Sequence, residues 1–124
     1  MKRLTKEWVQ KAENDFQAAE QLARATPPLH ETVCFHCQQC ADKYLKALLK
    51  ESSNPVPRTH NLVALLSLVT PHYELRGVLR GLKFLTDFAV DIRYPPVRAT
   101  KRQAVAELRW AGKVRDACRA QLGL

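Results

Sequence analysis

Apolar residues along the chain return in alternating steps of three and four, the spacing that lines one side of an α-helix. From Thr5 to Ala25 the stripe is Trp8, Ala12, Phe16, Ala19 and Leu22/Ala23, and it stops before Thr26-Pro27-Pro28. The stretch from Glu31 to Glu51 carries Val33, Cys34, Cys37, Cys40, Ala41, Tyr44, Leu45, Leu48 and Leu49. A shorter segment, His60 to Val69, follows the loop Ser52-Ser53-Asn54-Pro55-Val56-Pro57 and turns Leu62, Leu65, Leu66 and Val69 inward. Tyr73 to Ile92 presents Leu75, Val78, Leu79, Leu82, Leu85 and Ala89, and it ends where Pro95 and Pro96 forbid continuation. The last segment opens at Thr100, whose hydroxyl and Gln103 predict a capping box, and runs through Ala104, Leu108, Ala111, Arg115 and Cys118 to about Gln121. No stretch alternates with a period of two. The pattern predicts an all-α fold, an up-and-down antiparallel bundle of four longer helices plus one short helix. Short connections make the neighbours antiparallel.

The length of 124 residues suits a single domain, residues 1–124, and leaves no room for a TIM barrel or a Rossmann domain with a second lobe. No apolar run approaches the roughly 20 residues of a membrane-spanning helix. The start MKRLTKEWVQKAEND lacks the apolar core of a signal peptide, so a cytoplasmic protein with no membrane partner is expected. Charge adds more. Lys and Arg total 20 against 12 Asp and Glu, a net +8, and such an excess favours polyanions. From Arg93 onward come Arg98, Lys101, Arg102, Arg109, Lys113, Arg115 and Arg119, opposed by Glu107 and Asp116 alone; Lys43, Lys46 and Lys50 form a second group. On charge alone, a phosphate-binding face and a solubilising surface are both open.

Cys34, Cys37 and Cys40 read on paper as a CxxCxxC metal motif, with Cys118 as a distant fourth thiol. On a helix, however, Cys34 and Cys40 stand about 9 Å apart along the axis, whereas thiolates sharing one zinc lie within roughly 4 Å. All three also fall on the apolar stripe, where cysteine behaves as a small hydrophobe. Neither a metal site nor a cofactor is expected, and disulfides within one helix face gain little.

The most distinctive stretch is Cys34-Phe35-His36-Cys37-Gln38-Gln39-Cys40-Ala41-Asp42-Lys43-Tyr44-Leu45-Lys46-Ala47-Leu48-Leu49. Arg58-Thr59-His60-Asn61-Leu62-Val63-Ala64-Leu65-Leu66 follows it, and later Asp91-Ile92-Arg93-Tyr94-Pro95. In this order the three resemble the HEPN domain family, small helical proteins found alone or beside minimal nucleotidyltransferases. The resemblance spans about Trp8 to Val97. It implies a five-helix bundle that commonly dimerises and binds nucleotide or RNA, often as one half of a toxin–antitoxin pair with a nucleotidyltransferase. Many members are metal-independent ribonucleases whose arginine is followed, after four to six intervening residues, by histidine. Here Arg93 is present, but Arg98, Ala99 and Thr100 stand where that histidine would fall.

Metal-free RNA cleavage needs a group to handle the 2′-hydroxyl proton and a cation to stabilise developing phosphate charge. Arg93 suits the second task, because its guanidinium is always charged and forks onto phosphate oxygens. Pairing of Arg93 with Asp91, Asp87 or a helix C-terminus is the structural alternative. Tyr94 can stack on a base or simply pack between helices. His36 lies off the main stripe toward Gln39, Lys43 and Lys46, where it is either a proton carrier or an interface histidine. Lys43 and Lys46 are candidate phosphate contacts or solvated lysines. Gln38 and Gln39 bond between helices or to a base, and Thr59 is the expected cap of the short helix. The functional reading is a homodimer, or higher homo-oligomer, that takes phosphate through Arg93 in a shared cleft. A ribonuclease using Arg93 and His36 is one alternative, and a module that docks a nucleotidyltransferase is another.

Overall fold

The structure, a computed structural model, describes residues 1–91, 95 and 97–124, and of residues 88–91 the helical backbone alone. Among the described residues it is all-helical: α1 (Arg3–Ala23), α2 (His30–Glu51), α3 (Leu62–Val69), α4 (Leu79–Asp91) and α5 (Lys101–Gln121).

The helix α2 forms the centre, packed against each of the others. Its stripe is wide enough for that role, because Val33, Cys34, Cys37, Cys40, Ala41, Tyr44, Leu45, Ala47, Leu48 and Leu49 are all buried. Polar contacts give the directions. Glu51 meets Lys2, Tyr44 meets Glu13 and His36 meets Asp15, so α1 and α2 run antiparallel. Cys34 lies beside Glu107 and Tyr44 beside Arg119, so α2 and α5 run parallel, as the first and last downward strokes of an up-and-down bundle. From the remaining helices Ala12, Ala19, Leu62, Leu65, Val69, Leu82, Leu85, Ala111, Val114 and Cys118 close the core. Each large aliphatic side chain buried there contributes about 1.5–3 kcal/mol.

Three local features depart from or refine the periodic reading. The fourth helix begins at Leu79, not Tyr73, because Gly77 at φ +73 sits in the left-handed region that a right-handed helix cannot pass through. Leu79 consequently faces solvent rather than the core. The cap of α3 is Asn61 rather than Thr59: Asn61 Oδ1 accepts from the Ala64 N–H at 3.0 Å, while the Thr59 hydroxyl, two residues upstream, accepts from the Asn61 N–H at 3.2 Å. At α5 the capping box is present: Thr100 Oγ1 accepts from Gln103 N–H at 3.1 Å and Gln103 Oε1 from Thr100 N–H at 2.8 Å. The helices α4 and α5 approach tightly at Gly81, where an added Cβ would collide with Trp110 Cε3.

Candidate functional site

Along the seam of α1 and α2, cations close onto carboxylates inside the bundle. Asp15 of α1 is almost wholly buried. His36 and Lys43, two turns apart on one face of α2, grip its two oxygens: His36 Nδ1 at 2.7 Å from Oδ1 and Lys43 Nζ at 2.5 Å from Oδ2. Elsewhere on α2, Asp42 is held by Lys46 Nζ at 2.8 Å and by His60 Nδ1, from the entry to α3, at 2.7 Å. Lys46 is 5% exposed and its ammonium also lies 5.8 Å from the centre of the Trp8 ring. Of the readings open for Lys46 in the sequence, this is neither: it is an internal ion pair. Because a carboxylate only accepts, His36 Nδ1 donates to Asp15, and Nε2 is the ring nitrogen left outside that bond, on a side chain that is a quarter exposed.

Arg93 and Tyr94 lie outside the described residues, and so does any juxtaposition of Arg93 with His36 or with Asp87 and Asp91.

Two clusters had no local signal in the sequence. In the first, Glu13 of α1 receives both Nε and Nη2 of Arg115 at 2.6 Å and the Tyr44 hydroxyl at 2.5 Å, with Arg119 Nη1 at 3.5 Å. The Arg115 hydrogen bonds hold the Glu13 carboxyl below its ordinary range against the opposing effect of burial. Burial, then Glu13, pushes the Tyr44 phenol up. Residues 102 positions apart make this contact, and no helical period connects them.

In the second, Glu107 projects from α5 into the core. It is 0% exposed, and neither carboxyl oxygen has a hydrogen-bond partner among the described residues. Burial pushes its pKa up to about 9, with the Cys34 thiol as its polar neighbour, so the group is neutral at pH 7. Burial likewise pushes the Cys34 thiol up to about 12, and Cys37 and Cys40 are raised as well. These are packing thiols rather than reactive ones. Among the described residues no group of three or more His, Cys, Asp and Glu side chains is placed to hold a metal ion.

The outer face of α5 is different. Lys101, Arg102, Arg109 and Lys113, with Arg98 just before the helix, are exposed and have no carboxylate partner among the described residues. Lys113 lies over Trp110, 4.9 Å from the ring centre. Exposed apolar side chains also occur: Leu29, Phe35, Val97 and Val105.

The family model described as the HEPN domain matches residues 5–121. In three dimensions the chain is similar to TT1696 from Thermus thermophilus, at 21% identity over 94% of this chain and 97% of that one, TM-score 0.84. It is also similar to ST0689, an archaeal HEPN homologue, at 27% identity over 98% and 99% of the two chains, TM-score 0.77. No curated protein matches it.

Proposed function

The chain belongs to the HEPN domain family, and from that membership we propose that it binds nucleotide or RNA as a homodimer, taking phosphate through Arg93 with Tyr94 beside it in the cleft between protomers. Its partner in this reading is a nucleotidyltransferase, in a toxin–antitoxin arrangement. One observation carries the choice of residue. The other candidate cations of the family-like motifs, Lys43, Lys46 and His36, are bound to Asp15 and Asp42 within the bundle, so the phosphate role falls to Arg93. Substituting Arg93→Ala should weaken nucleotide or RNA binding at least tenfold, in keeping with the roughly 1.5–3 kcal/mol of a charge-assisted hydrogen bond, while the helical circular dichroism melt stays put. Equal affinity of variant and parent across a salt titration would end the proposal.

Two other readings have an observation behind them. The exposed Pro95 and Val97, directly after Tyr94, favour protein docking at the same place. Nucleotidyltransferase capture that survives Arg93→Ala, without any nucleotide-induced rise in melting temperature, would select docking. The free Nε2 of His36 favours a ribonuclease. RNA left intact by folded protein in chelator would remove that reading.

A further inference from the structure

The cations of α5 sort by direction. The helix buries Ala104, Glu107, Ala111, Val114 and Cys118. Away from that stripe stand Lys101, Arg102, Arg109 and Lys113, spread over about 18 Å of axis. Arg115 and Arg119, turned toward α1, both pair with Glu13. The outward ones are not neutralised at all among the described residues. Arg109 and Lys113 are an unopposed like-charge pair one turn apart, an arrangement that destabilises a helix by a few tenths of a kcal/mol. A surface built only for solubility mixes both signs, as this chain does at Arg3–Glu7 and Arg76–Glu74. On α5 the acids are few: Glu107 is in the core, and Asp116, exposed three residues past Lys113, pairs with Arg115 at 3.4 Å.

We propose that this outer face of α5, led in by Arg98, is a track for the phosphodiester backbone of an RNA strand, so that the ligand is an oligonucleotide and not a mononucleotide. The inference rests on the reading of Arg93 and Tyr94 as the phosphate site and extends it along the chain, since Arg98 follows Arg93 by five residues. The charge geometry favours a strand over other polyanions. A lone nucleotide reaches one or two of these groups, whereas a stacked strand at about 3.4 Å per nucleotide needs about five nucleotides to span the face. A membrane surface fits poorly, because Val105 is the one apolar residue exposed beside these cations on α5 and offers nothing like the apolar half of an interfacial helix.

The test uses the whole protein, its Lys101→Gln/Arg102→Gln/Arg109→Gln variant and Arg93→Ala. Fluorescence anisotropy is read with ATP and with single-stranded RNA of about 2, 4, 8 and 16 nucleotides, across a KCl series wide enough to fix the salt slope. Affinity should climb with length to about eight nucleotides. At low salt the triple variant should lose at least about tenfold on the 8-mer, lose less than about threefold on ATP, and show a log–log salt slope smaller by about 2, from about 0.7 per cation removed. The track is overturned if the 8-mer binds the triple variant as tightly as the parent, if length makes no difference, or if phosphatidylserine vesicles bind more tightly than the 8-mer. The two readings separate cleanly. If Arg93→Ala is silent while the triple variant loses RNA, the track stands and the Arg93 site falls. If Arg93→Ala loses ATP and RNA while the triple variant loses neither, the track falls alone.

Discussion

The seam between α1 and α2 and the outer face of α5 are both rich in cations, and the bundle treats them in opposite ways. At the seam and beside it the cations have acids: His36 and Lys43 of α2 share Asp15 of α1, Lys46 and His60 share Asp42, and Arg115 and Arg119 of α5 close on Glu13 of α1. On α5 the outward cations meet no acid among the described residues. The two sets answer different demands. A charge taken out of water must be paired, because an unpaired one costs several kcal/mol. A charge left in water is nearly indifferent to pairing, so its partner is free to come from outside the molecule. Positive sequence charge is thus a poor guide to binding until the internally neutralised part has been subtracted.

The seam should break most dramatically at Asp42. Asp42→Asn strands the ammonium of Lys46 in the core and should lower stability by about 3–5 kcal/mol in urea denaturation. A loss below about 1 kcal/mol would mean that Lys46 swings out to water and the two regions are alike.

Glu107 is the counter-case, an acid inside with no cation among the described residues. Its folded pKa of about 9 lies above the ordinary 4.5, so the folded state holds a proton that the unfolded chain releases between those values. The stability it permits is full below about pH 4.5 and declines as pH rises toward 9. Glu107→Met should therefore raise stability by about 1–3 kcal/mol at about pH 8 and flatten the fall across the range between the two pKa values. A variant that is less stable than the parent under those alkaline conditions would show that the carboxyl has a partner after all.

Glu13 has the opposite sign. Its lowered pKa means that its stabilisation is present above the ordinary carboxylate range and vanishes as pH falls through the lowered value. Glu13→Gln should cost about 1–3 kcal/mol at neutral pH, with the gap to the parent closing in acid. An equal gap in acid and at neutrality would assign the loss to shape rather than charge. Smallest of all, Arg102→Ala and Arg109→Ala should each move stability by no more than about 0.5 kcal/mol. A larger drop would place those arginines in the fold rather than at its disposal.

What the sequence could disclose follows from range. The stripes of α2 and α3 were legible because a helix writes its burial in steps of three and four, and Val33 through Leu49 and Leu62 through Val69 are buried where the period puts them. The Thr100–Gln103 box was legible because a cap is a contact between near neighbours. The start of α4 was not, since the apolar period continues through Tyr73 and Leu75 while the backbone turns at Gly77. Family motifs pointed to His36, Lys43, Lys46 and Arg93, but motif spacing carries no information about which acid on another helix will meet a lysine. Asp15 and Glu13 are ordinary acids on the sequence and became anchors only once α1 lay across α2. Arg93 and Tyr94, outside the described residues, keep the standing that the motif gave them.

The unpaired thiols sealed at the heart of the bundle make it a recorder of its own breathing. Cys34, Cys37, Cys40 and Cys118 are all reduced and wholly enclosed, so a maleimide in the buffer finds no sulfur until the helices part. The speed at which the protein gains alkyl mass then counts openings per hour, and peptide mapping of Cys34 against Cys118 tells which end gives way first.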